Sequence, residues 1–256
     1  MQDSELRLHW NVGLEAPRLE SGQVHLWAAA LHEFSDQASE MMALLSHSER
    51  TRAHAFKFPG DRTRFIIRRG LLRRVLGGYL GQSPAEIRFS FGKYGKPETG
   101  EAVGGRHLFF NLSSSAGIAV YAATRAYPIG IDIEYGRDIP DMEGIARRFF
   151  QPREIQELMT RSPAARRRAF YEYWTRKEAF LKATGEGITE RLAHLEVTLA
   201  TEPSVVSLPY GQGSPAEWRL QPFSPAEGYF GCIAYRGVAL DLVPRRIERI
   251  RESCPG

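Results

Sequence analysis

The stretch from Phe170 to Gly187, FYEYWTRKEAFLKATGEG, constrains the fold more than any other part of the sequence. It holds neither proline nor glycine before Gly185 and is rich in good helix formers, so it predicts a helix that ends at its two glycines. At helical spacing, five apolar and aromatic side chains share one face of this helix: Phe170, Tyr173, Trp174, Phe180 and Leu181. The helix therefore has to pack against a hydrophobic core.

Three charged residues lie on or beside that apolar face. Lys177 falls in its middle, where an ammonium group is unfavourable unless it meets an anion or its head reaches water. Glu178 and Lys182 lie four residues apart on its shoulder, where they form either an ordinary surface ion pair or part of a cleft for a polyanion. The helix alone leaves both interpretations open.

The charge and cysteine content narrow the class of protein. The formal net charge is +4 and the isoelectric point is about 9.1, which favours phosphates, nucleic acid or an acidic protein surface as partners. With only 2 cysteines there is no disulfide framework or thiolate metal site. The first residues lack the apolar core of a signal peptide, and no apolar run reaches membrane-spanning length. We therefore expect a soluble, cytoplasmic protein without membrane contacts.

A second informative stretch, YPIGIDIEYG, predicts a strand with two carboxylates on one face. Residues two apart on a strand are separated by about 6.5–7 Å, so Asp132 and Glu134 can share one hydrated divalent cation. Because acids are depleted in strands, the pair favours a functional role, although solvated acids on an exposed sheet face remain an alternative. Gly130 on the same face is expected to clear space for a ligand.

Basic residues occur on a predicted helix that begins at Asp61 and on a glycine-containing loop. On the helix, Arg64 and Arg68 point along an edge of the apolar face, while Arg69 and Arg73 point more outward. The loop FGKYGKPETG carries Lys96, beside glycines that let the backbone approach a phosphate. A solvated helix rim and a plain exposed loop are the alternatives.

The segment LFFNLSSSAGIAVYAAT predicts two strands joined by a small polar turn, Asn111 to Ser115. Three consecutive serines can bind an oxyanion through hydroxyl and backbone N–H groups, or can simply form a tight turn.

The order of helices and strands predicts an α+β fold. Each half of the chain runs from arginine-bearing helices to paired strands, which is a weak indication of two similar lobes. We expect an N-terminal extension at residues 1–22, an N-terminal lobe at 23–126, a C-terminal lobe at 127–243 and a tail at 244–256.

Together these segments supply Asp132, Glu134 and Glu178 as three hard carboxylate ligands, with Lys177 and Lys182 nearby. Carboxylate ligands without histidine or cysteine favour Mg²⁺. In phosphoryl transfer, Mg²⁺ and lysines neutralise the charge of a diphosphate and of its leaving group. No Walker A or G-x-G-x-x-G sequence is present, which disfavours ordinary nucleotide-binding folds.

GIDIE at Gly130 to Glu134, followed by WTRKEAFLKATGEG at Trp174 to Gly187, closely resembles the paired signatures of the 4′-phosphopantetheinyl transferases. The match is to the larger, single-chain, surfactin-synthetase-activating type. GKYGKP and FNLSSS are similar to two further motifs of that family, in the same order. The resemblance implies two similar α+β lobes related by a pseudo-two-fold axis, with coenzyme A in the cleft between them. It also implies Mg²⁺-dependent transfer of the phosphopantetheine arm to a serine of an apo carrier protein, with release of adenosine 3′,5′-bisphosphate.

The resemblance also assigns residues to roles. Asp132, Glu134 and Glu178 match the metal ligands, Glu178 is also the expected base, and Lys182 matches the lysine at the diphosphate. The residues expected to contact coenzyme A are Arg52, Arg64, Lys96, Ser113, Ser114, Lys177 and Lys182.

One position departs from the family pattern. The family's serine motif usually reads serine-histidine-serine, and here Ser114 replaces a histidine that contacts the 3′-phosphate. We expect weakened coenzyme A binding, which Ser114→His should restore.

The departure at Ser114 supports an alternative, a non-catalytic homologue that binds coenzyme A or a carrier protein. Nucleic-acid binding is disfavoured because a carboxylate triplet repels a phosphate backbone. The expected partner is an acidic acyl or peptidyl carrier protein of fatty-acid, polyketide or nonribosomal peptide synthesis, and the expected state is a monomer.

Overall fold

Two main β-sheets, each packed against one long helix, form the framework of the protein. The computed structural model describes residues 11–12, 18–99, 107–185 and 190–248. Within these ranges the strands are β1 (Asn11–Val12), β2 (Gln23–Ala30), β3 (Phe89–Phe91), β4 (Pro97–Thr99), β5 (Phe109–Ser115), β6 (Ile118–Thr124), β7 (Ile129–Tyr135), β8 (Glu196–Val197), β9 (Val205–Ser207), β10 (Trp218–Phe223), β11 (Tyr229–Arg236) and β12 (Asp241–Arg246). The α-helices are α1 (Ala38–Leu44), α2 (His47–His54), α3 (Pro59–Leu80), α4 (Met142–Phe149), α5 (Pro152–Met159) and α6 (Pro163–Thr184), and 3₁₀ helices cover Leu31–Gln37, Glu190–His194 and Pro215–Glu217. This mixture agrees with the predicted α+β class.

The first sheet has the strand order β1-β12-β2-β6-β5, and the second has the order β10-β11-β7. In the first sheet β6 is antiparallel to both β2 and β5. In the second sheet β11 is antiparallel to both β10 and β7. Short pairs, β3 with β4 and β8 with β9, flank the two sheets.

The strand β12 returns to the N-terminal sheet, where it pairs in parallel with β2. The lobe boundary expected at residue 243 therefore falls inside a strand, and the first residues of the predicted tail belong to a sheet. The physical reason is that without β12 the strand β2 would expose an unpaired backbone edge. The parts of the predicted extension and tail at residues 1–10, 13–17 and 249–256 lie outside the described residues.

The helices α3 and α6 have the same design at both ends. Each spans 22 residues and begins with a proline at its first turn, where the missing N–H has no intrahelical partner to lose. Each ends at a glycine in the left-handed region, Gly81 at φ 61° and Gly185 at φ 71°. The predicted helix end at Gly185 is confirmed, while Gly187 lies outside the described residues.

Two arginines of α3 point inward instead of outward as the sequence indicated. Arg69 and Arg73 both pair with Glu49 of α2, at 2.8 Å and 2.7 Å, and Arg73 is only 1% exposed. Glu49 also closes a capping box with Ser46 at the start of α2. The buried carboxylate therefore joins α2 to α3, which explains why two cations can leave solvent.

The strand β7 lies directly beneath α6. A Cβ atom at Gly130 would overlap the backbone of Ala179, Lys182 and Ala183 in the helix. The expectation that Gly130 clears space for a ligand is therefore wrong, because the helix itself fills that space. Glycine is required here so that the helix backbone can approach the strand closely.

The three serines are strand residues and not a turn. Ser113, Ser114 and Ser115 are the last residues of β5, and Ser115 pairs with Ile118 across a two-residue connection. That connection is Ala116–Gly117, with positive φ values of 43° and 95°. Successive serines therefore point to opposite faces of β5.

Lys177 is enclosed in the C-terminal half of the chain and does not face a cleft. It is 1% exposed and forms an ion pair of 2.7 Å with Glu154 of α5. Its ammonium also donates to the carbonyls of Phe149, Leu192 and Leu195. The anion that Lys177 meets in this structure is therefore a buried carboxylate of the same chain, and Lys177 lies apart from the other residues expected to contact coenzyme A.

A second buried polar group lies in the N-terminal sheet. The hydroxyl of Tyr79 accepts from the Nε1–H of Trp27 at 2.8 Å and lies 2.7 Å from Nδ1 of His25, which accepts its proton because Nε2 carries the ring proton. The Nε2–H of His25 then faces the side-chain oxygen of Gln23 at 3.2 Å. Burial, with a smaller contribution from Arg245, lowers the pKa of His25 to about 4.

We expect the protein to lose stability as the pH falls from about 6.5 to about 4. In this range the unfolded state binds a proton at His25 and the folded state does not, so the effect is absent above pH 6.5 and reaches up to about 3 kcal/mol below pH 4. Urea unfolding at a series of pH values measures it. His25→Phe should flatten the slope in this window, and an unchanged slope would contradict the assignment.

Lys177→Met should lower the free energy of unfolding by roughly 3–5 kcal/mol, because it leaves Glu154 charged and buried without a cation. The double variant with Glu154→Gln should recover part of this loss, since no buried charge remains. Urea denaturation measures both variants. If Lys177→Met left the stability unchanged but abolished coenzyme A binding, Lys177 would be a ligand contact and not a structural ion pair.

Candidate active site

The two sheets meet at β5 and β7, which are joined by side chains. Asn111, Ser113 and Ser115 alternate along β5, so all three face β7. The amide oxygen of Asn111 accepts from the N–H of Ile131 at 3.0 Å, and the hydroxyl of Ser115 accepts from the N–H of Tyr135 at 3.1 Å. We call this line of contacts the β5–β7 seam.

The seam positions two of the predicted carboxylates. The hydroxyl of Ser113 donates to Oδ1 of Asp132 at 2.9 Å, and that of Ser115 donates to Oε2 of Glu134 at 2.7 Å. Glu178 comes to the same place from α6, because that helix packs on the face of β7 that carries the acids. The structure therefore brings the three predicted metal ligands together.

Two oxygen atoms in this cluster are buried without a hydrogen-bond partner: Oδ2 of Asp132 and Oε1 of Glu178. Asp132 is 4% exposed and Glu178 is 7% exposed. Buried carboxylate oxygens are normally satisfied, so these two positions call for an external partner. A cation or a hydrogen-bond donor on a bound molecule would supply it.

The acids influence one another electrostatically. Burial, together with the neighbouring charges of Asp132 and Glu134 and against that of Lys182, raises the pKa of Glu178 to about 7. Burial also raises the pKa of Glu134, against the hydrogen bond from Ser115. Three clustered acids and one lysine leave an excess of negative charge when all are ionised, which a bound cation would offset.

The side chains suit Mg²⁺ in chemistry, without forming a ready-made cage. Among the residues that the structure describes, no group of three or more His, Cys, Asp or Glu side chains is arranged as a metal site. Mg²⁺ needs few protein ligands and takes the rest from water and substrate phosphates, and hard carboxylate oxygens are the ligands it prefers. The unpaired oxygens of Asp132 and Glu178 meet that requirement.

Lys182 is the cation of the cluster. Its ammonium donates to Oδ1 of Asp132 at 2.6 Å and to the hydroxyl of Ser113 at 3.1 Å. The side chain remains 29% exposed, so the same ammonium can also reach a bound anion. The ion-pair partner of Lys182 is thus Asp132 on β7, whereas the sequence spacing indicates Glu178 on the same helix.

Lys96 lies behind this cluster. Its ammonium donates to the carbonyls of Ile129 at 3.0 Å and Lys182 at 2.7 Å, so it links the start of β7 to the end of α6. Burial lowers the pKa of Lys96 to about 8. Any contact with coenzyme A would compete with these two carbonyls.

A pocket of about 490 Å³ adjoins the seam on the other face of β5. Arg64 and Ser114, both expected to contact coenzyme A, line it together with Ser115 and Arg68. Arg52 is close to one wall, with its guanidinium 5.6 Å from the ring centre of Phe65. The predicted coenzyme A contacts other than Lys96, Lys177 and Lys182 therefore cluster around β5 and α3.

Sequence reasoning missed three residues of this region: Asn111, Ser115 and Arg68. For Asn111 and Ser115 a signal was present, because both keep the two-residue period of Ser113 once the serines are assigned to a strand. Arg68 gave no signal beyond its position at the edge of the apolar face of α3.

Comparisons with known proteins agree on one family. A model of the 4′-phosphopantetheinyl transferase superfamily matches residues 128–234. The chain is 40% identical to the 4′-phosphopantetheinyl transferase HetI of Nostoc sp., over 85% of this chain and 89% of that protein.

Two Bacillus subtilis proteins are also similar. The chain is 31% identical to the 4′-phosphopantetheinyl transferase Sfp over 84% of this chain and 93% of Sfp. It is 35% identical to another 4′-phosphopantetheinyl transferase over 68% of this chain and 76% of that protein. In the described residues, no helix combines the length and apolar character that crossing a membrane requires. The motifs, the acidic cluster at the β5–β7 seam and these similarities together show that the chain belongs to the 4′-phosphopantetheinyl transferase superfamily.

Proposed function

We propose that the protein transfers the 4′-phosphopantetheine arm of coenzyme A to a serine hydroxyl of an apo carrier protein. The products are the holo carrier protein and adenosine 3′,5′-bisphosphate. The observation that carries this proposal is the cluster of Asp132, Glu134 and Glu178 with Lys182, in a chain of this family. Coenzyme A and the carrier protein are therefore the proposed substrates.

Two halves related by a pseudo-two-fold axis would frame the site. The first half contains β2, the long helix α3 and the antiparallel pair β5 and β6, and the second contains β7, the long helix α6 and the antiparallel pair β10 and β11. The last strand of each pair is the central strand of its group, in the orders β2-β6-β5 and β7-β11-β10. The shared ends of α3 and α6 support the same relationship. Coenzyme A would lie in the cleft where β5 meets β7.

Asp132, Glu134 and Glu178 would hold Mg²⁺. When bound, the metal would neutralise charge on the diphosphate of coenzyme A. The unpaired oxygens of Asp132 and Glu178 support this assignment.

The residues of the chain would divide the chemistry between them. The carboxylate of Glu178 accepts the proton of the carrier serine. The serine oxygen bonds to the phosphorus that carries the pantetheine arm, and the bond from this phosphorus to the bridging oxygen breaks. The leaving bisphosphate takes the electron pair, next to the ammonium of Lys182.

An acidic surface on the carrier protein would suit the basic character of this chain, whose isoelectric point is about 9.1. We also propose that the protein acts as a monomer, because a single chain supplies both strands of the seam. The cytoplasm is its proposed location.

Incubation with coenzyme A, Mg²⁺ and an apo carrier protein should add the mass of one phosphopantetheine arm. Glu178→Gln should slow this transfer by about 10²–10⁴-fold, because the variant cannot accept the serine proton. Intact-mass spectrometry over time measures the rate. Glu172→Gln, on the same helix but paired with Arg168 at the surface, is the matched control. Coenzyme A binding without transfer to any carrier would favour a non-catalytic binding homologue.

Transfer should stop when divalent cations are chelated and resume when Mg²⁺ is added. Asp132→Asn should raise the Mg²⁺ concentration needed for half-maximal rate by about tenfold or more, because a neutral amide is a weaker ligand. Asp138→Asn is the control, since that carboxylate lies at the surface next to Arg167. Full activity in the chelator would contradict the metal role.

A further inference from the structure

A second pocket lies on the C-terminal half of the chain, beside α6. Its volume is about 380 Å³, which falls within the range of about 300–1,000 Å³ typical of small-molecule pockets. The first half of α6 forms one wall, the end of β10 and the start of β11 form another, and residues 199–201 form a third. The acids of the β5–β7 seam and Lys182 are not among its described lining residues. We call it the α6–β10 pocket.

The α6–β10 pocket carries an excess of positive charge. Arg161, Arg168 and Arg176 line it, and among the described lining residues Glu172 is the acid that stands against them. Guanidinium groups that outnumber carboxylates in a concave site create a positive potential, which attracts an anion from solution.

Arg176 is the most deeply placed cation of this pocket. Its side chain is only 5% exposed, and its Nη1 donates to the carbonyl of Thr198 at 2.6 Å. Its Nη2 lies 3.8 Å from Oε2 of Glu172, which is too far for a hydrogen bond. Glu172 instead accepts from Nε of Arg168 at 2.8 Å. A buried cation that shares its carboxylate with a second arginine gains free energy when a further anion arrives.

Arg161 adds a donor that the chain leaves unused. Its Nη2 pairs with Glu157 at 2.5 Å, whereas its Nε is buried and has no hydrogen-bond partner. Buried donors are normally satisfied, so this nitrogen calls for an acceptor from outside the chain. An anion in the pocket would supply it.

The rest of the lining is largely apolar. It includes Phe223, Tyr229 and Phe230, together with Leu199 and Pro222. A ligand that matches both parts of the pocket has an anionic group and an aromatic body. Phosphate suits the anionic group better than a carboxylate does, because its terminal oxygens can accept from several guanidinium groups at once.

The pocket is next to the acidic cluster without being part of it. Phe230 on β11 is the pairing partner of Glu134 on β7, and its ring stacks on that of Tyr171 of α6, with 5.8 Å between the ring centres. Since Phe230 lines the pocket, the strand β11 separates the ligand position from the acids on β7.

We propose that the α6–β10 pocket is a second ligand site of this protein, which binds a phosphate monoester with an aromatic body. Arg176 supplies the buried cation, and Arg161 and Arg168 supply further donors to the phosphate. The aromatic residues of β10 and β11 contact the body of the ligand. The site does not depend on the proposed transfer, because none of its residues takes part in that reaction.

Isothermal titration of the intact protein with phenyl phosphate tests the site. Ala200 is exposed and lines the pocket, so Ala200→Glu adds a carboxylate there and leaves the arginine contacts in place. This variant should weaken the binding of phenyl phosphate by about tenfold or more, whereas the neutral Ala200→Gln should keep the wild-type affinity. Absence of binding to the wild-type protein, or equal affinities of the two variants, would overturn the proposal.

A reciprocal variant and two further probes make the assignment specific. Ser114→Glu adds the same charge to the pocket beside β5 and should leave this binding intact. Loss of binding in Ser114→Glu but not in Ala200→Glu would place the probe in that other pocket and overturn the proposal. Benzoate and inorganic phosphate should each bind more weakly than phenyl phosphate. Equal affinity of benzoate would reject the phosphate group, and equal affinity of inorganic phosphate would reject the aromatic body.

Discussion

The line of hydrogen bonds between β5 and β7 is the contact on which the arrangement of the site depends. The two strands belong to different sheets, so their backbones do not pair, and Asn111, Ser113 and Ser115 bridge them with side chains. The same hydroxyl groups that join the sheets also hold Asp132 and Glu134 in place. The same hydrogen bonds therefore join the two halves of the chain and orient the two acids. A shift of either sheet would change the geometry of the acidic cluster.

The close approach of α6 to β7 adds the third acid. Because Gly130 has no side chain, the backbone of α6 packs directly against β7. This close packing sets the distance of Glu178 and Lys182 from Asp132 and Glu134. Lys96 secures the same junction from behind by binding carbonyls of both elements. A side chain on a rigid helix that is fixed to its strand in this way loses little freedom when a molecule binds.

The sequence predicted local patterns well and long-range partners poorly. Alternation located β7, and the glycine at the end of the helical stretch located the end of α6, because these signals depend on neighbouring residues. It did not reveal that Lys177 would meet Glu154, since an ammonium on an apolar face is equally compatible with a buried partner and a ligand. The serines were assigned to a turn because small polar residues favour both turns and strand ends, and only the pairing partner Ile118 decides between them.

The return of β12 to the first sheet has a consequence for how the chain acquires its structure. β2 ends at Ala30 and its parallel neighbour β12 begins at Asp241, so this pairing closes a loop that contains most of the chain. Such a contact is entropically unfavourable early and forms late. During synthesis the N-terminal sheet would emerge from the ribosome with one edge open, and would be completed only after the C-terminal half had been made. Until then β2 offers its free edge to other chains, a period in which a chaperone could protect it.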